Sequence, residues 1–162
     1  MVAEELRALA RQTEPPFSLS LIRDAAFPDA RITGRELPPG VDELVAVTAE
    51  GPLVIYARGL STAGQRFAIA HALAHLLFDV GVDVHGVQPD EPYDAERETR
   101  ADAFAFELLC PRCQLLQHIV LWPDSDDDAE GYRDQVDQIA AEYHLPPAAI
   151  DQQIRELART KQ

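Results

Sequence analysis

The sequence predicts an α+β fold, in which a mostly helical single domain carries one small antiparallel sheet. Three observations support this prediction. The chain of 162 residues has the length of one ordinary domain. Two β-rich runs follow each other closely, and segments with helical periodicity lie before and after them. We expect one domain over 1–162, with a core over 40–122 and a helical cover over 123–162.

The amino-terminal part predicts two short helices followed by a loop. Apolar residues recur at helical spacing within residues 1–14, and two prolines end that segment. A second helix is expected over 18–26. Residues 29–42 are rich in Gly, Pro and charge, which predicts a loop with a short strand at 31–33.

The two β-rich runs predict a hairpin. They read Leu44-Val-Ala-Val-Thr48 and Leu53-Val-Ile-Tyr-Ala57, with Glu50-Gly51-Pro52 between them. Pro52 has no backbone N–H, which favours an edge strand or the start of a strand for this residue. From residue 61 onward the period becomes helical, and helices are expected over 65–78, 95–110, 113–121, 130–143 and 148–159.

The composition disfavours several classes of partner and location. Lys+Arg 14 against Asp+Glu 28 gives a net charge of −14, which repels nucleic acid and anionic membranes. No apolar run is long enough for a membrane span, and the first residues lack the pattern of an export signal. The two cysteines cannot cross-link a domain of this size, so we expect a cytoplasmic protein.

The predicted central helix carries a histidine pair with the spacing of metal ligands. His71 and His75 are one turn apart on one helix face, so both imidazoles can reach one ion. The pair alone is a weak signal, because two core or surface histidines acquire this spacing by chance.

The next helix supplies carboxylates that strengthen the metal interpretation. Glu98 can complete a set of two histidines and one carboxylate, which leaves a fourth position open as in catalytic zinc sites. Asp102, one turn later, can accept the outer N–H of a ligand histidine and fix its tautomer. The alternative is that both carboxylates belong to a solvated helix face.

These two helices resemble the ImmA/IrrE family of zinc metallopeptidases. The family's first motif, Arg-Phe-Thr-x-Ala-His-Glu-Leu-(Gly/Ala)-His-Leu-Leu, stands here as Arg66-Phe-Ala-Ile-Ala-His-Ala-Leu-Ala-His-Leu-Leu77. Its second, Glu-x-x-Ala-(Asn/Asp)-x-Phe-Ala-x-x-Leu-Leu-Met-Pro, stands as Glu98-Thr-Arg-Ala-Asp-Ala-Phe-Ala-Phe-Glu-Leu-Leu-Cys-Pro111. The resemblance spans roughly residues 40–157.

The resemblance implies a zincin-like endopeptidase that holds Zn²⁺ through His71, His75 and Glu98, with Asp102 as an outer partner. In that family the characteristic substrate is a helix-turn-helix repressor, whose cleavage releases genes of a mobile element or a stress response. The implied partner is therefore a repressor protein.

One residue departs from the family pattern at the position that matters most for chemistry. The family has a glutamate after the first histidine, where this sequence has Ala72. Helical geometry predicts residue 72 beside His71, at the rim of the expected metal cleft. In His-Glu-x-x-His peptidases that glutamate takes the proton of the attacking water and passes it to the leaving amine. A methyl group can do neither, so we expect a chain that holds zinc and is catalytically inactive.

Two explanations for Ala72 are open. A glutamate has been exchanged for alanine, the usual inactivating substitution, or the chain is a natural pseudo-peptidase that binds a partner without cutting it. The intact surroundings of Ala72 favour the first explanation.

Three other motifs are interpreted without a function. His85 is an alternative third ligand, but it lies in a predicted loop without partner spacing. Cys110 and Cys113 have CxxC spacing but no second pair, so we expect Cys110 to be a packed core thiol. The helix pair 133–143 and 148–159 resembles a helix-turn-helix, yet the acidic charge favours a packing role over DNA binding.

Overall fold

A computed structural model describes residues 2–79, 94–123 and 129–160, which contain seven helices and three strands. The α+β class is confirmed, and most predicted elements lie within a few residues of their expected bounds. The helices are α1 (Val2–Leu9), α2 (Leu19–Ala26), α3 (Thr62–Phe78), α4 (Ala95–Leu109), α5 (Arg112–His118), α6 (Ala129–Tyr143) and α7 (Pro147–Arg159). The strands are β1 (Arg31–Arg35), β2 (Glu43–Thr48) and β3 (Gly51–Ala57).

The sheet contains the predicted hairpin, but it is mixed and not wholly antiparallel. Its strand order is β1-β3-β2, with β2 antiparallel and β1 parallel to β3. The loop after β1 reverses the chain, so β1 and β2 run in opposite directions and β3, inserted between them, must run with β1. Pro52 is the second residue of the central strand and precedes the first β1 pair, Arg31 with Leu53. Pro52 therefore lies at the start of a strand, which is one of the two positions predicted for it.

Helix α3 forms the centre of the core. Its N-cap is Ser61, whose hydroxyl accepts the N–H of Gly64. Alanines at 68, 70, 72 and 74 are buried along the helix, and such small side chains let neighbouring elements approach closely. The helix packs on β2 and β3 and against α4.

Helix α4 begins where Asp94 accepts the backbone N–H groups of Glu96 and Arg97. The cap satisfies two of the backbone N–H groups that have no partner within the first turn, and so stabilises the start of α4.

The carboxy-terminal helices α6 and α7 share one hydrophobic cluster with α3 and α4. Tyr143, Ile150 and Ile154 are fully buried in that cluster. The side-chain amide of Gln135 accepts from the N–H groups of Val120 and Leu121, which ties α6 to the turn after α5. Among the described residues, no helix has the length and apolar character that crossing a membrane requires.

Candidate metal centre

Helices α3 and α4 bring together the three side chains that the sequence predicts as metal ligands. One potential ligand atom from each of His71, His75 and Glu98 lies within 4.8 Å of the other two. The Nε2 atoms of the two histidines are 2.9 Å apart, and Glu98 places one oxygen 3.1 Å from His71 Nε2 and the other 3.7 Å from His75 Nε2.

The donor set fits a tetrahedral cation. Bonds of about 2.0–2.1 Å to a tetrahedral zinc ion place its ligands about 3.3 Å from one another, and the three separations at this site bracket that value. Two imidazole lone pairs and a carboxylate that converge this closely repel one another unless a positive charge lies between them. Two nitrogens and one oxygen are a donor set that zinc accepts, with a fourth position left for water or substrate.

Each histidine of this group is oriented by a carboxylate on its other nitrogen. Asp102 on α4 accepts from Nδ1 of His71 at 2.9 Å, and Asp79, the residue that ends α3, accepts from Nδ1 of His75 at 2.8 Å. A carboxylate accepts hydrogen bonds, so it fixes the proton on Nδ1 and leaves Nε2 for the metal side.

Asp79 is itself held by two arginines of α4. Arg100 donates to it at 2.6 Å, and Arg97 lies 3.5 Å away. Burial alone would raise the pKa of Asp79, yet the hydrogen bond from His75 and the charge of Arg97 lower it below its ordinary value. Asp79 therefore stays ionised and keeps His75 oriented.

A fourth carboxylate, Glu43, faces the site from the sheet. It is the first residue of β2, on the same strand face as Val45, which packs on the core. Its Oε1 lies 3.6 Å from His71 Nε2, and its side chain is only 17% exposed.

The electrostatics of this cluster favour bound protons or a bound cation. Burial raises the pKa of Glu43 to about 7, against the opposing charge of His71 and with the help of nearby carboxylates. Burial alone would lower the pKa of His71, but the hydrogen bond to Asp102 and the charges of Glu43 and Glu98 raise it overall. The carboxylates that converge on this half-enclosed space contribute to both pKa shifts, and such an arrangement attracts a metal ion.

The comparison with protein families agrees with this geometry. The peptidase M78 family model, described as the IrrE N-terminal-like domain, matches residues 27–155. The chain belongs to this peptidase family. A search of curated proteins finds no match to the sequence. The matched range contains helices α3 and α4 and the whole sheet, while α1 and α2 precede it.

Within this IrrE-like domain, the position that we predicted beside the metal cleft holds a buried methyl group. Ala72 is 0% exposed and belongs to the hydrophobic cluster, instead of lining the rim of the cleft as simple helical geometry suggested. Residue 72 therefore offers no proton acceptor and no exposed surface.

Two participants in the site were missed from the sequence. Asp79 had a readable signal, because it follows His75 at the same one-turn spacing that relates the two histidines. Glu43 had none, since a single acidic residue at the start of a strand looks like a solvated strand end. Only the packing of β2 on α3 reveals its direction.

The other sequence interpretations have simple outcomes. His85 lies outside the described residues. Cys110 is a buried free thiol, as predicted, and burial raises its pKa to about 12, while Cys113 is exposed. The helices that resemble a helix-turn-helix are α6 and α7, which bury their apolar faces in the common cluster.

Proposed function

We propose that this member of the IrrE-like peptidase family is a zinc-dependent endopeptidase scaffold. The observation that carries the proposal is the convergence of His71, His75 and Glu98, with both histidines oriented by carboxylates. Bound at these three residues, zinc would polarise a peptide carbonyl and the attacking water. Asp102 and Asp79 would keep the ligand nitrogens aimed at it.

The sheet offers a route for an extended peptide beside this centre. Strand β2 is at the edge of the sheet, and its first residue faces the metal ligands. An edge strand can pair through its backbone with an added peptide strand. A substrate that pairs with β2 would pass the open side of the ligand set.

The proposed substrate is a helix-turn-helix repressor, and the proposed location is the cytoplasm. The family resemblance supplies this substrate class. Net charge supports it, because DNA-binding surfaces of repressors are basic and this chain carries −14. The same charge argues against direct binding to nucleic acid or anionic membranes.

A second candidate function is a pseudo-peptidase that binds the repressor without cutting it. The observation that favours it is Ala72, a fully buried alanine where the family has its proton acceptor. The route that uses a glutamate at position 72 is closed to this chain. If no other group replaces that glutamate, the metal site serves stability or partner binding.

The test combines metal analysis with incubation of the repressor encoded beside the gene. We expect close to one zinc per chain, and strongly reduced zinc in His71→Ala and Glu98→Ala protein. Zinc-loaded chain and zinc-loaded Ala72→Glu protein are then incubated with the repressor, with and without a chelator. Chelator-sensitive fragments support the peptidase, whereas tight repressor binding without fragments from either form supports the pseudo-peptidase. Unchanged zinc occupancy in both ligand variants contradicts the metal centre itself.

A further inference from the structure

We propose that Glu43 supplies the proton-accepting carboxylate that residue 72 lacks, so that this chain cleaves peptides in spite of Ala72. The inference rests on the proposed metallopeptidase function and deepens it. It assigns a catalytic residue on the sheet instead of on the metal-site helix.

Few carboxylates reach the open side of the candidate ligand set. Asp102 and Asp79 are committed to the Nδ1 atoms of the histidines, on the side away from the ligand nitrogens. Glu98 is a member of the ligand group. Within the described ranges, Glu43 is the remaining carboxylate with an oxygen near a ligand nitrogen, 3.6 Å from His71 Nε2.

Glu43 lies near the candidate ligands but is not one of them. The group whose ligand atoms all lie within 4.8 Å of one another contains His71, His75 and Glu98, and Glu43 is not part of it. Glu43 is thus close enough to touch a small molecule bound beside His71, but it does not complete the ligand set. That is the placement a proton acceptor needs, one hydrogen bond away from the reacting water.

The position of Glu43 in the sheet keeps its side chain clear of the neighbouring tyrosine. Glu43 is paired with Tyr56 of β3, and Gly34 of β1 pairs with Tyr56 from the other side. A side chain at Gly34 would come within 2.9 Å of the Tyr56 ring, so the tyrosine leans over the glycine. The ring therefore leans toward β1 and away from Glu43, which lies on the edge strand β2.

Packing alone gives no reason for an acidic residue at position 43. No arginine or lysine in the described part of the chain forms an ion pair with Glu43, whose charged neighbour is His71. A poorly exposed carboxylate without a cation is costly, and such residues concentrate at functional sites.

The proposed step balances as ordinary peptide hydrolysis. The Glu43 carboxylate accepts a proton from water while the water oxygen bonds to the carbonyl carbon of the scissile peptide. Glu43 then returns that proton to the amide nitrogen, and the carbon–nitrogen bond breaks. The products are a carboxyl terminus and an amine terminus, with Glu43 regenerated.

The experiment compares Glu43→Gln with Glu43→Asp and with Glu50→Gln, an exposed acid in the hairpin turn that pairs with Arg31. Co²⁺ replaces zinc, and its visible absorption is measured through a pH titration. The absorption reports the residues that bind the ion and the charge of any side chain next to its open coordination position. Co²⁺ affinity is measured by competition with a chelator. Cleavage of the neighbouring repressor is measured with the zinc forms.

We expect Glu43→Gln to keep Co²⁺ affinity within about threefold, to change the pH profile of the absorption, and to lower cleavage about 10²–10⁴-fold. Glu43→Asp should keep part of the activity, and Glu50→Gln should match the unaltered chain. An unchanged absorption profile in Glu43→Gln overturns the proposal. So does a loss of Co²⁺ affinity as large as that of Glu98→Gln, which would make Glu43 a ligand.

The cleavage measurements distinguish a failure of the role proposed for Glu43 from a failure of the proposed peptidase function. If the unaltered chain and Glu43→Gln cut equally, Glu43 is not the acceptor although the peptidase function stands. If only Ala72→Glu protein cuts, residue 72 is required and Glu43 does not replace it. If no form binds metal, the proposed function itself fails.

Discussion

At the scale of single residues, the site depends on how its imidazoles are held. His71 is oriented by an acid on a different helix, whereas His75 is oriented by the acid one turn later on its own helix. The two devices differ in what they require of the fold. Asp79 reaches His75 from the same helical segment, with Arg97 and Arg100 of α4 holding its carboxylate, whereas Asp102 reaches His71 only when α4 is docked.

Loss of Asp102 should therefore weaken the metal site without unfolding the chain. We expect Asp102→Ala to reduce zinc affinity about 10–100-fold, the usual effect of removing the outer partner of a ligand histidine. Chelator competition measures it, with Asp137→Ala on the exposed face of α6 as control. Untouched affinity combined with a large loss of thermal stability would make Asp102 a purely structural residue.

Glu43 should shape the pH dependence of stability when metal is chelated. Its pKa rises on folding, from 4.5 to about 7, so the folded chain holds this proton more tightly. The stabilising contribution is fully present below about pH 4.5 and is lost as pH rises through 7. Each pKa unit is worth about 1.4 kcal/mol, so the total is on the order of 3 kcal/mol at most.

We expect Glu43→Gln protein in chelator to lose less free energy of unfolding between pH 5 and pH 8 than the unaltered chain, about 2 kcal/mol less. Urea unfolding at the two pH values measures this. The raised pKa of His71 acts in the same direction, so some slope should remain in the variant. An identical slope in both proteins would show that Glu43 is not held in its neutral form by the fold.

At the scale of elements, the amino-terminal helices secure α4 from outside the range matched by the family. Arg7 of α1 is nearly buried, and its guanidinium donates to the backbone carbonyls of Glu107 and Leu108 near the end of α4. It also lies over the ring of Phe17, 5.2 Å from its centre. Carbonyls at a helix end lack partners within the helix, so this arginine caps α4 as well as anchoring α1.

Arg7→Met, which keeps the length of the apolar stem, should lower the free energy of unfolding by about 1–3 kcal/mol. The reason is that two buried carbonyls lose a charged donor. Chemical denaturation measures the change, and Arg133→Met on the exposed face of α6 is the matched control. Equal stability of the two variants would mean that water replaces the guanidinium without loss.

Elements with strong local signals were predictable, and contacts between elements were not. Helices α3 and α4 follow from periodicity, and their ligands follow from one-turn spacings within each helix. The parallel pairing of β1 with β3 depends on a tertiary arrangement that short local patterns do not encode. The position of Glu43 also depends on tertiary contacts. Which face of a strand points into the molecule is known only when the element that packs on the sheet is known. The burial of Ala72 likewise follows from what packs over the helix, which no spacing predicts.

At the scale of the whole molecule, the candidate metal centre joins two helices that meet in the middle of the core. His71 and His75 belong to α3, and Glu98 belongs to α4. A cation bound to all three cross-links parts of the chain that are well separated in sequence. Metal binding should therefore stabilise the entire fold and not only the site.

Zinc at about 100 times its dissociation constant should stabilise the chain by about 2.7 kcal/mol. For a domain of this size that corresponds to a rise in Tm of about 5–10 °C. Calorimetric melting with and without zinc measures it, and His75→Ala protein should show no such rise. A rise of the same size in that variant would place the stabilising ion elsewhere.

The Nε2 atoms of His71 and His75 are 2.9 Å apart, so a proton and a metal ion compete for the space between them. Whatever occupies that gap must be positive, so a proton on His71, whose pKa the neighbouring carboxylates raise, competes with an arriving zinc ion. Apparent zinc affinity should then climb close to tenfold per pH unit through the acidic range. Titration calorimetry in two buffers of different ionisation enthalpy should register about one proton released per ion bound, and equal heats in both buffers would contradict this. The chain's hold on its metal would thus follow the acidity of its surroundings, with uptake favoured in alkaline conditions and release in acid.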